Sequence, residues 1–138
     1  MLTVGTEWLI EASGCDAEAL RDTARLRAVF VRAMRELGLR AVGRQLWHKF
    51  PGEGGVTGLV MLTESHLACH TYPEFRAATF NLYCCRERPA WAWEERLREM
   101  LGAREVSVRC VRREPPPETT APSTFESSSH LAPRGGEA

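Results

Sequence analysis

The sequence predicts an α+β fold, a two-layer sandwich with two helices on one face of a mostly antiparallel sheet. Three observations carry this. Apolar residues recur at helical spacing in two stretches, residues 16–37 and 89–101. The other segments have the length and composition of strands, and four of these follow one another, giving the order β-α-β-β-β-β-α-β. The 138 residues leave room for one domain with one core.

Residues 6–12 read as the first strand. Residues 16–37 form the clearest helix. Asp16 can cap its first amides, and Leu20, Leu26, Val29, Phe30, Ala33, Met34 and Leu37 share one face. Arg21, Arg25, Arg27, Arg32 and Arg35 mostly occupy the other; interspersed acids mark that face as solvated. Gly38 suits the left-handed closing position. Residues 39–50 read as a second strand and 51–55 as a turn. The apolar run 56–62, rich in Val and flanked by glycines, reads as a third, buried strand. Residues 67–71 and 76–85 are the fourth and fifth, separated by Pro73 and Glu74. Pro89 opens the second helix at a tolerated first-turn position, with Ala90, Trp93, Leu97, Met100 and Leu101 on one stripe and Gly102 beyond its end. Residues 105–111 alternate as the last strand, with Val106, Val108 and Cys110 on one face. From Glu114 the chain turns to Pro, Ser, Thr, Gly and Glu, so 114–138 is expected to be a disordered tail to a domain spanning 1–113.

Composition excludes several classes of function. Eighteen basic and eighteen acidic residues cancel, which gives no electrostatic case for nucleic acid or an anionic membrane. Five cysteines, two of them adjacent, make a poor disulfide framework and fit a reducing cytoplasm. The N-terminus has neither a basic n-region nor a long apolar stretch, so no signal peptide is expected. No run reaches the roughly 18 apolar residues of a membrane span.

Chemistry concentrates between Thr63 and Glu74, where an acid, a hydroxyl, two imidazoles and a thiol follow the third strand. Local pattern leaves three readings open. The stretch is a strand end with a core histidine and a buried free cysteine. Or His66, Cys69 and His70, with Cys84 or Cys85, hold a metal, although the spacing lacks the paired ligands of structural zinc sites. Or Ser65 or Cys69 is a nucleophile with a histidine base.

Glu64-Ser65-His66, then His70-Thr71-Tyr72-Pro73-Glu74, resembles the self-cleavage segment of the bacterial and archaeal S-adenosylmethionine decarboxylase proenzymes. Trp47-His48-Lys49-Phe50-Pro51 before Gly55-Val56-Thr57-Gly58, and Phe80-Asn81-Leu82-Tyr83-Cys84-Cys85, extend the resemblance to about residues 4–113. It implies that Ser65 attacks the carbonyl of Glu64, that the resulting ester is eliminated, and that Ser65 becomes a covalent pyruvoyl cofactor. The chains would then be 1–64 and 65–138. His70 is implied as the processing base, Thr57 as a hydroxyl assisting cleavage, and Cys85 as the acid that protonates carbon after CO2 leaves. Cys84 is read as a packed small hydrophobe on the opposite face. Phe50, Glu64, Tyr72 and Glu11 are implied to contact the substrate. The resemblance also implies a homodimer acting on a small molecule, with no metal. On a regular strand Ser65 and His70 face opposite sides, so a bend or bulge between them is expected.

Four positions depart from the family pattern. Tyr72 stands where Trp is common, Asn81 where Asp is, Arg86 where Gly is, and Glu7 where His is. The first three spare the pyruvoyl machinery and fall on groups that shape a substrate site, whereas the change at Glu7 has no interpretation in the sequence. The expected function is decarboxylation of S-adenosylmethionine to supply aminopropyl groups for spermidine. The alternatives are a pyruvoyl-dependent decarboxylase of arginine or ornithine, and a non-enzymatic homologue.

Overall fold

The computed structural model describes residues 4–117. Strand β1 (Gly5–Ser13) is followed by helices α1 (Ala17–Arg21) and α2 (Thr23–Leu37), then β2 (Leu46–Lys49), β3 (Val56–Leu62) and β4 (Ser65–Tyr72). A 3-10 turn over Pro73–Phe75 leads into β5 (Ala77–Cys84), α3 (Trp93–Leu101) and β6 (Glu105–Arg113). The strands form one sheet in the order β2-β3-β4-β5-β1-β6. Every neighbouring pair is antiparallel.

Period-two alternation decides which face is covered. Ile10, Ala12, Val56, Val60, Leu67, Cys69, Phe80 and Leu82 are buried against Leu20, Leu26, Val29, Phe30, Trp93 and Leu97 of the helices. Trp47 lies over Gly58, its register partner, and meets Phe30 at 4.7 Å between ring centroids. Any side chain at Gly58 would collide with that indole. Buried Thr71 ties the layers together: its hydroxyl donates to the Leu20 carbonyl at 2.7 Å and accepts from the Val56 amide at 2.8 Å.

The opposite face carries no helix. Leu46, Leu59, Met61 and Val111 are exposed there. The apolar run of β3 therefore has one buried side and one bare side, where the sequence implied burial of the whole strand.

Several boundaries differ from expectation. The helix expected over 16–37 breaks at Asp22, leaving three α-helices among the described residues where two were anticipated. Asp22 adopts φ −93° and ψ 99°, closes α1 through its own amide, and accepts from the amides of Ala24 and Arg25 to begin α2. Its short carboxylate offers the backbone bonds that compete with a continuous helix. Asp16 caps α1, and Gly38 closes α2 at φ 68°. The strand expected over 39–50 shrinks to Leu46–Lys49, because Gly43 at φ 75° interrupts it; only an isolated Ala41–Leu62 bridge precedes the break. Pro89 does not open α3, which starts at Trp93 after Trp91 packs edge-on against it at 4.7 Å. Strand β4 begins at Ser65, two residues early, and β5 ends at Cys84. Val108 and Cys110 stay exposed, since β6 is an edge strand. Of the expected tail, 114–117 has no regular structure, and 118–138 lies outside the described residues.

Candidate active site

The β3–β4 hairpin presents the chemistry. Leu62 pairs with Ser65, so Thr63 and Glu64 form a two-residue turn and the Glu64–Ser65 peptide joins turn to strand. Ser65 has φ 143°, a conformation that side chains other than glycine rarely adopt. This breaks the alternation of the strand. Ser65 Oγ and His66 Nδ1, on neighbours that ordinarily face apart, lie 2.8 Å from each other. The ring of His66 lies 5.8 Å from that of Tyr83 on β5.

Glu64 is pinned at both ends. Its carbonyl accepts from the amide of Cys85 at 2.9 Å. Its carboxylate, with Glu64 only 4% exposed, takes two bonds from Arg88: Nε to Oε1 at 2.8 Å and Nη2 to Oε2 at 2.7 Å. Arg88 also donates to the Leu37 carbonyl at 3.2 Å, which anchors the pair to the end of α2. The guanidinium holds the Glu64 carboxyl below its ordinary range, against the opposing effect of burial, and the Cys84 thiol contributes a further hydrogen bond. The Glu64 side chain, expected at the substrate, is thus buried and occupied.

Cys84 and Cys85 separate cleanly. Cys84 is buried, and burial together with the Glu64 carboxylate pushes its thiol up to about 12. It is a packed residue as anticipated, with a polar bond to Glu64 in addition. Cys85, just past β5, is exposed. Cys69 is also buried, and burial pushes its thiol up to about 12, which removes it as a neutral-pH nucleophile.

A second group sits further along the bare face. Thr57 Oγ1 and His70 Nδ1 are 2.6 Å apart across β3 and β4. Phe50 and Tyr72 flank the His70 ring, with centroids at 5.5 and 4.5 Å. Thr57, His70, Thr79 and Glu11 form one cross-strand row. Glu11 there accepts from Arg109 at 2.9 Å. A shallow groove of about 320 Å³ runs past Glu11, Ala68, His70, Thr79 and Asn81, at the small end of the range for ligand sites.

The two groups do not meet within one chain. The β4–β5 ladder is unbroken from Ser65 to Tyr72, so the anticipated bulge is absent. Five residues of regular strand put Ser65 roughly 16 Å from His70.

Sequence reasoning missed Arg88, which stands 24 residues from Glu64 and has no local signature. It named His66 as a metal ligand and otherwise left the histidine base of the nucleophile reading unassigned; among the described residues no cluster of three His, Cys, Asp or Glu has metal-holding geometry. It also left Glu7 uninterpreted. Asn81 Nδ2 donates to Glu7 Oε1 at 2.6 Å, and Arg113 donates to the other Glu7 oxygen at 3.2 Å. Two of the departures from the family pattern are therefore one contact, in which the carboxylate absent at residue 81 stands on β1. Their coincidence in the sequence was the available signal.

The fold is thus a one-sided α+β sandwich that holds a strained, hydrogen-bonded serine beside a pinned acyl group. Residues 6–114 match the S-adenosylmethionine decarboxylase family. The chain is 34% identical over 120 residues to an S-adenosylmethionine decarboxylase proenzyme of Pelotomaculum thermopropionicum, covering 86% of this chain and 94% of that one. It is 36% identical over 88 residues to the proenzyme of the same name from Pyrococcus furiosus, covering 64% and 62% respectively. In fold it is similar to the crystal structure of the adenosylmethionine decarboxylase from Aquifex aeolicus, with a TM-score of 0.72, 24% identity, and 88% of this chain and 100% of that one covered. This chain belongs to the S-adenosylmethionine decarboxylase family.

Proposed function

We propose that the chain is made as a proenzyme, cleaves itself between Glu64 and Ser65, and decarboxylates S-adenosylmethionine with a pyruvoyl group formed from Ser65. The observation that carries this is the hairpin, where the Ser65 hydroxyl is hydrogen-bonded to an imidazole and the Glu64 carbonyl to the Cys85 amide. Those residues fit the group, because Ser65 carries on Cβ an oxygen that can leave once it is esterified.

Once formed, the α-keto group supplies an electron sink for loss of CO2. This chain's own residues do the rest. The Cys85 amide polarises the Glu64 carbonyl in the precursor. The exposed Cys85 thiol, on the same residue, is positioned to give its proton to carbon after CO2 leaves. Phe50 and Tyr72 offer flat faces suited to a sulfonium or an adenine ring. Thr57 holds His70 in a fixed orientation, and Glu11 completes the polar side of the groove.

Ser65 and His70 come together through a homodimer. Two bare sheet faces, packed with their strands running oppositely, bring His70 of one copy toward Ser65 of the other and enlarge the shallow groove. The apolar side chains Leu46, Leu59 and Met61 on that face favour such packing. The product would supply aminopropyl groups for spermidine. Five free cysteines fit a cytoplasmic setting.

Arginine and ornithine lose their support as substrates. The relatives carry the S-adenosylmethionine name, and the missing carboxylate at Asn81 stands at Glu7. Matured protein incubated with carboxyl-labelled S-adenosylmethionine should release labelled CO2, and carboxyl-labelled arginine or ornithine should not. Release from either amino acid at a comparable rate would overturn the substrate assignment.

A further inference from the structure

We propose that His66 is the catalytic base for the first half of self-cleavage, taking the proton of Ser65 Oγ and returning it to the Ser65 nitrogen. This rests on the self-cleaving reading given above. Three observations assign the role. His66 Nδ1 lies 2.8 Å from Ser65 Oγ, at hydrogen-bond distance from the attacking atom. The φ of 143° at Ser65 departs from the strand conformation at the residue whose hydroxyl reaches that ring. The carbonyl under attack is fixed by the Cys85 amide at 2.9 Å, and the rest of Glu64 by Arg88.

With its hydrogen on Nε2, the imidazole leaves Nδ1 free to accept the hydroxyl proton. The new bond forms between Oγ and the Glu64 carbonyl carbon. The bond from that carbon to the Ser65 nitrogen breaks. The proton taken from Oγ passes from Nδ1 to the departing nitrogen, which becomes a free amine. The product is an ester, and neither water nor an oxidant is consumed. His70 has a different place. Its Nδ1 is engaged by Thr57 Oγ1 at 2.6 Å, five residues along the strand. Two imidazoles thus divide two proton transfers: His66 serves the acyl shift, and His70 the removal of the Cα proton that eliminates the ester.

A merely structural His66 would hold the turn without limiting chemistry. His66→Asn and His66→Ala distinguish the cases. Asn keeps a polar acceptor near the ring nitrogen but is not a base, and Ala removes the ring contact with Tyr83 as well. Whichever variant keeps the far-UV circular dichroism of the wild type decides. Freshly purified precursor is followed on denaturing gels with and without hydroxylamine, which cuts esters but not amides, and His70→Ala serves as the ester-accumulating comparison. The expected result is cleavage slowed by roughly 10²-fold or more, with no hydroxylamine-sensitive ester formed. Cleavage within threefold of wild type, or an ester accumulating in the folded His66 variant, would overturn the assignment. A wild-type chain that never cleaves would overturn the self-cleaving reading itself, and this role with it.

Discussion

Ser65 stands at a φ of 143°, where the backbone cost for a side chain is about 1–3 kcal/mol. Glycine tolerates that conformation, so strain at this residue is measurable apart from chemistry. Ser65→Gly and Ser65→Ala should both stay uncleaved, and thermal denaturation should find the glycine variant more stable by about 1 kcal/mol. The reverse order would mean that the residue is not strained. Arg88 gives a second test. Arg88→Met leaves the buried Glu64 carboxylate unpaired and should destabilise the fold at pH 7. The sign with pH follows from the Glu64 carboxyl being held low by Arg88. Its stabilisation is present above the unfolded carboxyl value of about 4.3 and is lost as pH falls through the lower folded value. Urea titrations should therefore show the gap between wild type and Arg88→Met at pH 7 shrinking toward pH 3.

Elements were legible wherever a local rule governed them. Helix α2 shows its stripe through Leu26, Val29, Phe30 and Ala33, and its end through Gly38. Strand β3 shows in its valines. The break at Asp22 was not legible, because the same residue reads equally well as an exposed helix position. Nor was the late start of α3, which follows from Trp91 packing on Trp93 rather than from proline chemistry. Within the site, the family motif marked Ser65, His70 and Cys85, whereas the Arg88 clamp and the Glu7–Asn81 exchange depend on strands far apart in sequence. The end of β5 offers a test of register. Cys85→Ala should process nearly normally and lose turnover by roughly 10²-fold or more. Cys84→Ala should keep most of its turnover, since that thiol is buried beside Glu64. If Cys84→Ala abolished turnover and Cys85→Ala did not, the roles on this strand would be exchanged.

For the whole molecule, the bare sheet face is the main consequence of the topology. Helices cover one side of six strands, and the other side presents Leu46, Leu59, Met61 and Val111 beside Phe50, Thr57 and His70. An apolar strand of this kind is ordinarily buried on both faces. The proposed face-to-face homodimer would bury it and join the Ser65 group to the His70 group. Co-expressing Ser65→Ala with His70→Ala tests this directly. In a mixed dimer the intact His70 of one copy faces the intact Ser65 of the other, so about half of the His70→Ala chains should be cleaved under random pairing. No cleavage in the mixture would place both residues in service of their own chain, which the unbroken β4 ladder opposes.

Conversion of Ser65 into a cofactor is read in the intact masses of protein left to mature. Two fragments are expected, 1–64 and 65–138, the larger without an N-terminal amine and gaining mass on borohydride reduction. A single uncleaved chain, or a larger fragment that begins with an ordinary serine, would contradict it.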